Sequence, residues 1–562
     1  MPPNPNQLRK GYTWPSKFIS PRNFHLDSEN QSYAQFHRLI DEYETEDNSS
    51  ESGSEFDEEE DDDDDDDDGD DDDKTSAHGE GEDKTADVPN SPGDRPTDQC
   101  TGTDDDDQRK VNIVRRFMQG ADREEKSQYP NSAKVVADFC MREAKRPVGA
   151  GKRPGDLVAV VDTRTSRDWD PEPNEPHTSW LTESELALSK PRLTRRSTLS
   201  PEQLDDKGQV NGDDPNYPFS RRLVHISNMD GRVICALASS APRNHRNALA
   251  DFFYHYLEPD PVLRTNVTSR GFKSFTLHCS FRYFVLKESP RVHADPRGLR
   301  NSARLYCLSG LSQSRRVRQW SLYEAKTSVV VTGINNRIWT AYSASDCYYK
   351  QNSRDTVRRH RKDWRESKEL GAVRDPILGE NSEVLTSSKD APCVYTKDPR
   401  AYFLFAVERT MQKMCRQSKV IVKEMEAVEQ RFQTQALSDI TKAGYSVEEF
   451  NAWSEGTVQW LTTFIAGLSA TTAQWDEFQR TDVGYFDVQG QPGPTEIQAC
   501  IENHLKDLDK LFSGLKEDHR RLDELKSRLV DANRRAVENH LGFANYQTGN
   551  HVNGMAIIAL VD

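Results

Sequence analysis

Near the carboxyl end of the chain, apolar residues recur at every seventh position for more than five helical turns. The series consists of Ile501, Leu508, Leu515, Leu522, Leu529 and Ala536. A second apolar series accompanies it and consists of Leu505, Leu511, Phe512, Leu525 and Ala532. A strict seven-residue repeat predicts a left-handed supercoil of this helix with another helix. The pattern therefore predicts a coiled-coil seam on a helix from Thr495 to about Leu541, a rod of roughly 70 Å at 1.5 Å per residue.

The partner of this helix is left open by the sequence. Asp518 and His519 interrupt the seam, which favours a partner helix within the same chain. Self-association of two copies through the long helix is the other interpretation.

Two further helices are predicted before the seam. Asp398-Pro399 is typical of a helix start, because proline is tolerated in the first turn. Apolar residues then recur at intervals of three and four from Ala401 to about Gln435 and again from Val447 to Gln479. We expect a helical bundle over residues 399–545 and a flexible tail over residues 546–562.

Residues 217–398 predict an α+β domain with a mixed sheet. Leu249, Phe252, Phe253 and Tyr256 fall on one face of a helix predicted from His245 to Leu257. The Trp339–Tyr342 segment is also predicted to be helical. The Asp230-Gly231 pair predicts a turn between the first two strands. The predicted strands are Leu223–Ile226, Val233–Leu237, Phe275–Leu286, Arg304–Leu308 and Ser328–Gly333.

The first 110 residues are predicted to be a disordered, acidic arm. Between Glu55 and Asp73, 17 of 19 residues are Asp or Glu, so that removing them from the net charge of −18 leaves about −1 for the rest of the chain. Such a tract cannot bury enough apolar surface to offset its conformational entropy. Residues 111–216 are predicted to be mostly linker, with a short helix near Val111–Met118, a strand at Leu157–Val161 and a helical turn at Ser184–Leu188.

The nine cysteines and the N-terminal residues indicate the cellular compartment in which the protein resides. No Cys-x-x-Cys pair occurs, and the N-terminus lacks an apolar signal segment. No run of 18 apolar residues occurs either, since the apolar run Met555–Val561 has only seven. We expect an intracellular, non-secreted protein that is cytoplasmic as given and membrane-associated if the native chain continues past Asp562.

No enzyme active site is predicted. His225, His255 and His278 lie inside predicted strands or a helix, where a histidine is more often structural than catalytic, and no phosphate-binding glycine loop or nucleophile motif accompanies them. No cofactor is expected. The Asp tract would hold divalent cations only weakly and without specificity.

The acidic and basic segments of the sequence favour binding to proteins over binding to nucleic acid. Residues 55–73 could attract basic proteins. The basic clusters at 315–318 and 358–365 could contact phosphates, or they could pair with the acidic tract of the same molecule. The near-neutral charge outside the tract argues against a nucleic-acid surface.

Several blocks between residues 221 and 404 carry a family resemblance. They are RLVHISNMD at 222–230, ALADFFYHYL at 248–257, GFKSF at 271–275, YEAKTS at 323–328, TG at 332–333, WTAY at 339–342 followed by Asp346 and Tyr348, and DPRAYFL at 398–404. In this order they resemble a large group of uncharacterised filamentous-fungal proteins, many of which carry a CorA-like magnesium-transporter domain.

The resemblance implies an α/β part followed by a stalk helix. In CorA-type channels the stalk runs into the first of two membrane helices, and five subunits enclose the pore. The Gly-Met-Asn signature of the pore mouth is absent here, since Asn553-Gly554-Met555 has a different order and precedes the apolar run. No metal ligands are carried over.

Two functional hypotheses follow. The first is a non-enzymatic soluble region resembling fungal CorA-like ion-transport proteins, either truncated before the pore or having lost it. The second is a soluble scaffold whose acidic arm captures basic partners and whose coiled coil assembles subunits. An open reading frame downstream of Asp562 that encodes two apolar runs of about 20 residues each would favour the first.

Deletion of residues 46–110 tests the prediction that the acidic arm is free. Because a solvated polyanion contributes no core contacts, we expect the melting temperature to stay nearly unchanged. Differential scanning calorimetry of the deleted and full-length chains measures this. A large drop would mean that the tract is docked on the folded part.

Overall fold

The computed structural model describes residues 111–119, 131–145, 159–165, 177–182, 186, 220–267, 274–289, 291–305, 320–334, 336, 338–349, 398–436, 447–487 and 495–559. The acidic tract, the two basic clusters and the linker residues 187–216 lie outside these ranges.

A mixed sheet of eight strands forms the centre of the described part of the chain. The strands are β1 (Ala159–Thr165), β2 (His177–Leu181), β3 (Ser220–Ser227), β4 (Val262–Val267), β5 (Phe275–Glu288), β6 (Ser302–Leu305), β7 (Trp320–Gly333) and β8 (Ile338–Ser345). Their order is β2-β1-β3-β8-β7-β5-β4, and β6 also pairs with β7. The β3–β8 pair is parallel and the other pairs are antiparallel.

Seven helices of the described ranges cover the two faces of this sheet. They are α1 (residues 111–119), α2 (Ser132–Ala144), α3 (Gly231–Ser240), α4 (Arg246–Leu257), α5 (Pro399–Ala436), α6 (Val447–Thr481) and α7 (Thr495–Ala559). The predicted α+β class with a mixed sheet followed by long helices is thereby confirmed.

Alternate residues of β7 show why the fold has three layers. Val330 packs with α1–α4, whereas Val329 and Val331 belong to the core formed with α5–α7. Since successive side chains of a strand point to opposite faces, a strand covered on both faces reads as a continuous apolar run. The run of β-branched residues in β7 has this origin.

The three long helices pack directly on the sheet. The rings of Phe281 on β5 and Phe512 on α7 lie 6.4 Å apart, and those of Phe284 on β5 and Phe464 on α6 lie 5.5 Å apart. The sheet and the bundle therefore share one hydrophobic core.

Helix α7 is held by one parallel and one antiparallel neighbour. Along α5, Glu408 contacts His504 and Glu429 contacts Arg528, so the numbers rise together and the helices run parallel. Along α6 the numbers run in opposite directions, since Gln479 contacts Asp509 and Asp476 contacts Lys516.

The predicted seam residues face this interior. Ile501, Leu508, Leu515, Leu522 and Leu529 are all buried within the same chain, whereas the side chain of Ala536 lies outside the described set. Asp518, which interrupts the seam, is buried too, and burial raises the pKa of its carboxyl group.

Two local predictions are wrong. Val233–Leu237 belongs to helix α3 and not to a strand, because the Asp230 carboxylate accepts a hydrogen bond from the amide of Val233 at 3.0 Å and caps the helix. Trp339–Tyr342 belongs to strand β8 and not to a helix, because it pairs with β3 on one side and β7 on the other.

The predicted end of the long helix near Leu541 is also wrong, since α7 continues to Ala559. The predicted tail from residue 546 therefore lies within this helix as far as Ala559. Its 65 residues span roughly 97 Å at 1.5 Å each. Helix α2 and strands β2 and β4 had no counterpart in the prediction.

Replacing Leu515 and Leu522 by Asp tests the packing of α7. Each buried leucine contributes roughly 1.5–3 kcal/mol, so the double variant should lose several kcal/mol of unfolding free energy in urea titrations. Val530, which is 46% exposed on the same helix, supplies the control, and Val530→Asp should have little effect. Equal losses in both variants, or unchanged helicity and stability in the double variant, would contradict this packing.

Candidate functional site

The carboxyl ends of β3 and β8 are the most polar part of the interior. These parallel strands end side by side at Ser227 and Ser345, which are paired in register. The chain continues from them into Asn228 and Asp346. In sheets that contain parallel strands, this edge commonly carries the binding or catalytic groups. Charged side chains from three further segments converge here.

We call Asp295, Arg297, Arg300, Asp346 and Tyr256 the buried charge cluster. All five residues are buried. Tyr256 is at the end of α4, Asp346 follows β8, and the other three belong to the segment that precedes β6. The cluster thus connects elements that are up to 90 residues apart in sequence.

Each carboxylate oxygen of Asp346 accepts two hydrogen bonds. Oδ1 accepts from Arg297 Nη2 at 2.8 Å and from the Tyr256 hydroxyl. Oδ2 accepts from Arg300 Nε at 2.7 Å and from the backbone amide of Lys326 at 2.8 Å. These four donors provide the hydrogen bonds that a buried carboxylate requires.

The two arginines extend the network to the backbone. Arg297 binds both oxygens of Asp295, at 2.9 and 3.1 Å, and donates to the Met229 carbonyl at 3.1 Å. Arg300 donates to the Tyr256 carbonyl at 2.6 Å. Because guanidinium groups donate in a fixed plane, these contacts fix the relative positions of the segments that they join.

Lys326 stabilises the carboxyl end of α4. Its ammonium group donates to the Glu258 carbonyl and, at 3.3 Å, to the Asp260 carbonyl. A hydrogen-bond donor at this position satisfies the carbonyl of Glu258, which caps α4, and a carbonyl of the turn that follows. Burial lowers the pKa of Lys326 well below its ordinary value.

Asn228 joins the ends of the two parallel strands. Its amide donates to the Ser345 carbonyl at 3.0 Å, and its side-chain oxygen accepts from the Cys347 amide at 2.7 Å. Its φ of 52° lies in the left-handed region, which asparagine tolerates better than most residues.

The electrostatics keep the cluster ionised. Burial alone would raise the pKa of Asp346, but Arg297 and Arg300 outweigh it and hold this pKa below its ordinary value. Burial lowers the pKa of Arg297, and the carboxylate of Asp346 outweighs that, so the pKa is raised. Two arginines thus face two carboxylates. A general acid or base works best with a pKa near the working pH, so this arrangement is suited to holding the fold together.

Two of the three predicted structural histidines, His255 and His278, lie on the α1–α4 side of the sheet. His225, His255 and His278 are buried. The rings of His255 on α4 and His278 on β5 are 5.4 Å apart, edge to face. Burial, with Arg264 and Lys326 nearby, lowers the pKa of His255 to about 3. Burial likewise lowers the pKa of His278 well below its ordinary value, with His255 as the next cause.

The cluster was not predicted from the sequence, although two of its residues, Tyr256 and Asp346, stand in the segments that carry the family resemblance. The available signal was the pair Glu324 and Lys326, the only charged residues of strand β7. Sequence reasoning also missed the buried contact of His504 Nδ1 with Glu408 Oε2 at 2.5 Å between α7 and α5. The predicted seam residues lie in the bundle core, away from this cluster.

The described ranges show neither a metal cluster nor a membrane-spanning helix. Within them, no three His, Cys, Asp or Glu side chains are grouped so as to hold a metal ion. No helix in the same ranges combines the length and apolarity needed to cross a membrane.

Comparisons with known proteins do not assign this chain to a family. No protein-family model and no curated protein matches the sequence. A solved structure described as "structure of the full-length CmaX protein" matches 71% of this chain and 83% of its own, with 11% identity and a TM-score of 0.33. A likeness this distant carries no argument about the chain.

Asp346→Asn tests the role of the cluster. The substitution leaves two buried guanidinium groups with one carboxylate, and uncompensated buried charge costs about 3–5 kcal/mol. We expect a loss of that size in the unfolding free energy measured by urea titration.

The matched control is Asp476→Asn, which removes a half-exposed ion pair with Lys516. Such surface pairs contribute about 0–1 kcal/mol. A loss at position 346 no larger than that at position 476 would show that the cluster does not hold the fold together.

His278→Leu tests the effect of the buried histidines on acid stability. Neither ring nitrogen of His278 has a hydrogen-bond partner within the described ranges, so leucine should be tolerated at pH 7. A histidine whose native pKa is lowered takes up a proton only on unfolding. Its contribution to stability is therefore lost as pH falls below about 6.5, by up to about 1.4 kcal/mol per pH unit.

We expect the leucine variant to show a flatter decline of unfolding free energy between pH 6.5 and pH 5 than the parent chain. Chemical denaturation at several pH values gives this slope. An identical slope in both proteins would mean that His278 is not a source of the acid sensitivity.

Proposed function

We propose that the described part of the chain is a non-enzymatic support for α7, and that the chain is related to fungal CorA-like ion-transport proteins. In this proposal the sheet and helices α5 and α6 hold α7 as a stalk. The free end of the stalk then assembles with the same end of other copies. The observation that carries the proposal is the length of α7 beyond the helices that pack against it in the described part of the chain.

The extent of the free end follows from the helix register. The contacts of α6 with α7, Gln479 to Asp509 and Asp476 to Lys516, fix an antiparallel alignment. Extending it at 1.5 Å per residue brings the first residue of α6, Val447, opposite about residue 540 of α7. Residues 541–559 then project about 28 Å past that point.

The sequence of this free end continues the seam. The next three positions of the seven-residue series after Ala536 are Phe543, Asn550 and Ile557. A single polar residue in such a series is known to fix register and the number of strands in a coiled coil. The seam residues up to Leu529 are used within the chain, and in this proposal the last part of the series packs against a second copy.

Two considerations favour a structural role for this part of the chain, without catalysis. The largest group of buried ionisable side chains, the buried charge cluster, is engaged in ion pairs and hydrogen bonds to its own fold. The family resemblance also implies a stalk helix at this position. Residues 541–559 would then be the part of the stalk nearest the membrane in a longer, pore-forming relative.

Sedimentation velocity of the full chain tests the assembly. We expect a mass several times the 64.1 kDa of one chain and a fall toward the single-chain mass in Phe543→Asp/Ile557→Asp. Asn545, which is exposed on the same stretch, supplies the control Asn545→Asp, which should keep the assembled mass. A parent chain that sediments as a single copy at every concentration would overturn the proposal.

The acidic tract favours a second candidate function, capture of basic proteins by a scaffold. With 17 acidic residues in 19 positions, the tract would bind a lysine-rich peptide in a strongly salt-dependent manner. Fluorescence anisotropy of such a peptide with the full chain and with the 46–110 deletion measures this. Equal binding by both chains would exclude the tract as the binding segment.

A further inference from the structure

Helices α2 and α3 approach each other unusually closely on the outer face of the sheet. A Cβ atom built on Gly231, the first residue of α3, would lie 2.9 Å from the Cα atom of Cys140 on α2. Only glycine permits that approach. One helical turn after Gly231, on the same side of α3, is Cys235.

The thiols of Cys140 and Cys235 meet at this contact. Both cysteines are free, and the side chain of Cys235 is the largest cause of the raised pKa of the Cys140 thiol. Cys140 is buried, whereas Cys235 is partly exposed at the edge of the same apolar cluster. The other described cysteines lie on other elements: Cys279 on β5, Cys347 after β8, Cys415 on α5 and Cys500 on α7.

We propose that Cys140 and Cys235 form a reversible disulfide that ties α2 to α3 when the protein meets a low-molecular-weight disulfide such as oxidised glutathione. A disulfide needs Cα atoms about 4.4–6.8 Å apart. Gly231, one helical turn before Cys235 on the same side of α3, lies against the backbone of Cys140, so the two cysteines lie on facing sides of the two helices. The inference is independent of the proposed stalk, which lies on the opposite face of the sheet.

The reaction proceeds by two exchanges and needs no further oxidant. Cys235, the more exposed thiol, loses its proton and attacks one sulfur of the small disulfide, which releases one thiolate and leaves a mixed disulfide on Cys235. Cys140 then loses its proton and attacks the Cys235 sulfur, and the second small thiolate leaves. Two protein thiols are oxidised, and one small disulfide is reduced to two thiols.

Neighbouring groups determine the rate of this reaction. The hydrogen bond to Cys235, burial, and the charges of Cys235, Asp230 and Glu143 raise the pKa of the Cys140 thiol. Since the thiolate is the attacking species, closure should be slow at neutral pH and accelerate as pH rises. The bond would also restrain α3, which begins directly after the strand end that contacts the buried charge cluster through Met229.

Peptide mapping of the full chain tests the proposal. The reduced protein is incubated with oxidised glutathione, quenched in acid, alkylated and digested with trypsin. Cleavage after Lys134, Arg142, Arg232 and Arg243 gives peptides 135–142 and 233–243, each with a single cysteine. We expect these two peptides to be joined in the main cross-linked product. Its rate of formation should rise up to about tenfold per pH unit.

Two variants distinguish closure from general oxidation. Cys235→Ser should abolish the joined peptides and any rise in melting temperature on oxidation, whereas Cys279→Ser should retain both. A mixed disulfide that accumulates on Cys235 without joined peptides would overturn the proposal. So would cross-links that involve other cysteines at equal yield.

Discussion

A single buried carboxylate, that of Asp346, holds together the centre of this protein. Removing an ionised carboxylate from water costs several kcal/mol, which only well-oriented donors and opposite charges can offset. Two guanidinium groups, one phenol and one backbone amide meet that requirement. They come from three separate segments, so the carboxylate that follows β8 is satisfied only when α4, β7 and the 295–300 segment have reached their native positions. Directional ion pairs of this kind specify one arrangement, whereas apolar contacts alone would tolerate several.

The rest of the architecture is arranged around this point. Asn228 connects the ends of β3 and β8, and Lys326 holds the end of α4 from the middle of β7. On the opposite face, α5 begins at Asp398, whose carboxylate accepts a bidentate pair of hydrogen bonds from Arg400 at 3.1 and 2.9 Å. From there the long helices share their core with the sheet. A rigid body of this kind is what a projecting α7 needs in order to keep a fixed direction.

Sequence patterns predicted the helices and strands that depend mainly on neighbouring residues. They failed where a segment becomes helix or strand through contacts with residues far away in the chain. The helices from Pro399 onward show apolar residues at intervals of three and four, and β5 is a long apolar run, so α5, α6 and β5 were predicted nearly in full. Of β7 only Ser328–Gly333 was predicted, and of α7 only the part up to about Leu541. Val233–Leu237 is short, apolar and β-branched at its start, and only the capping role of Asp230 identifies it as a helix. Trp339–Tyr342 becomes a strand through pairing with β3, more than 100 residues earlier. Such pairing leaves no local pattern.

The candidate site was beyond sequence reasoning for the same reason. Tyr256, Arg297 and Asp346 have no characteristic spacing, and Cys140 and Cys235 are separated by 95 residues without any motif. The blocks that carry the fungal CorA-like resemblance include Tyr256, Lys326, Asp346 and Asn228. These residues make contacts within the protein's own fold.

Native-state amide hydrogen exchange tests the central role of Asp346 most directly. The amide of Lys326 donates to the Asp346 carboxylate and the amide of Asp346 donates to the Lys326 carbonyl. If the cluster holds the fold together, both amides should exchange only through global unfolding, with the same free energy as the slowest amides of β7. Exchange of these two amides through a local opening, while β7 stays protected, would contradict the account.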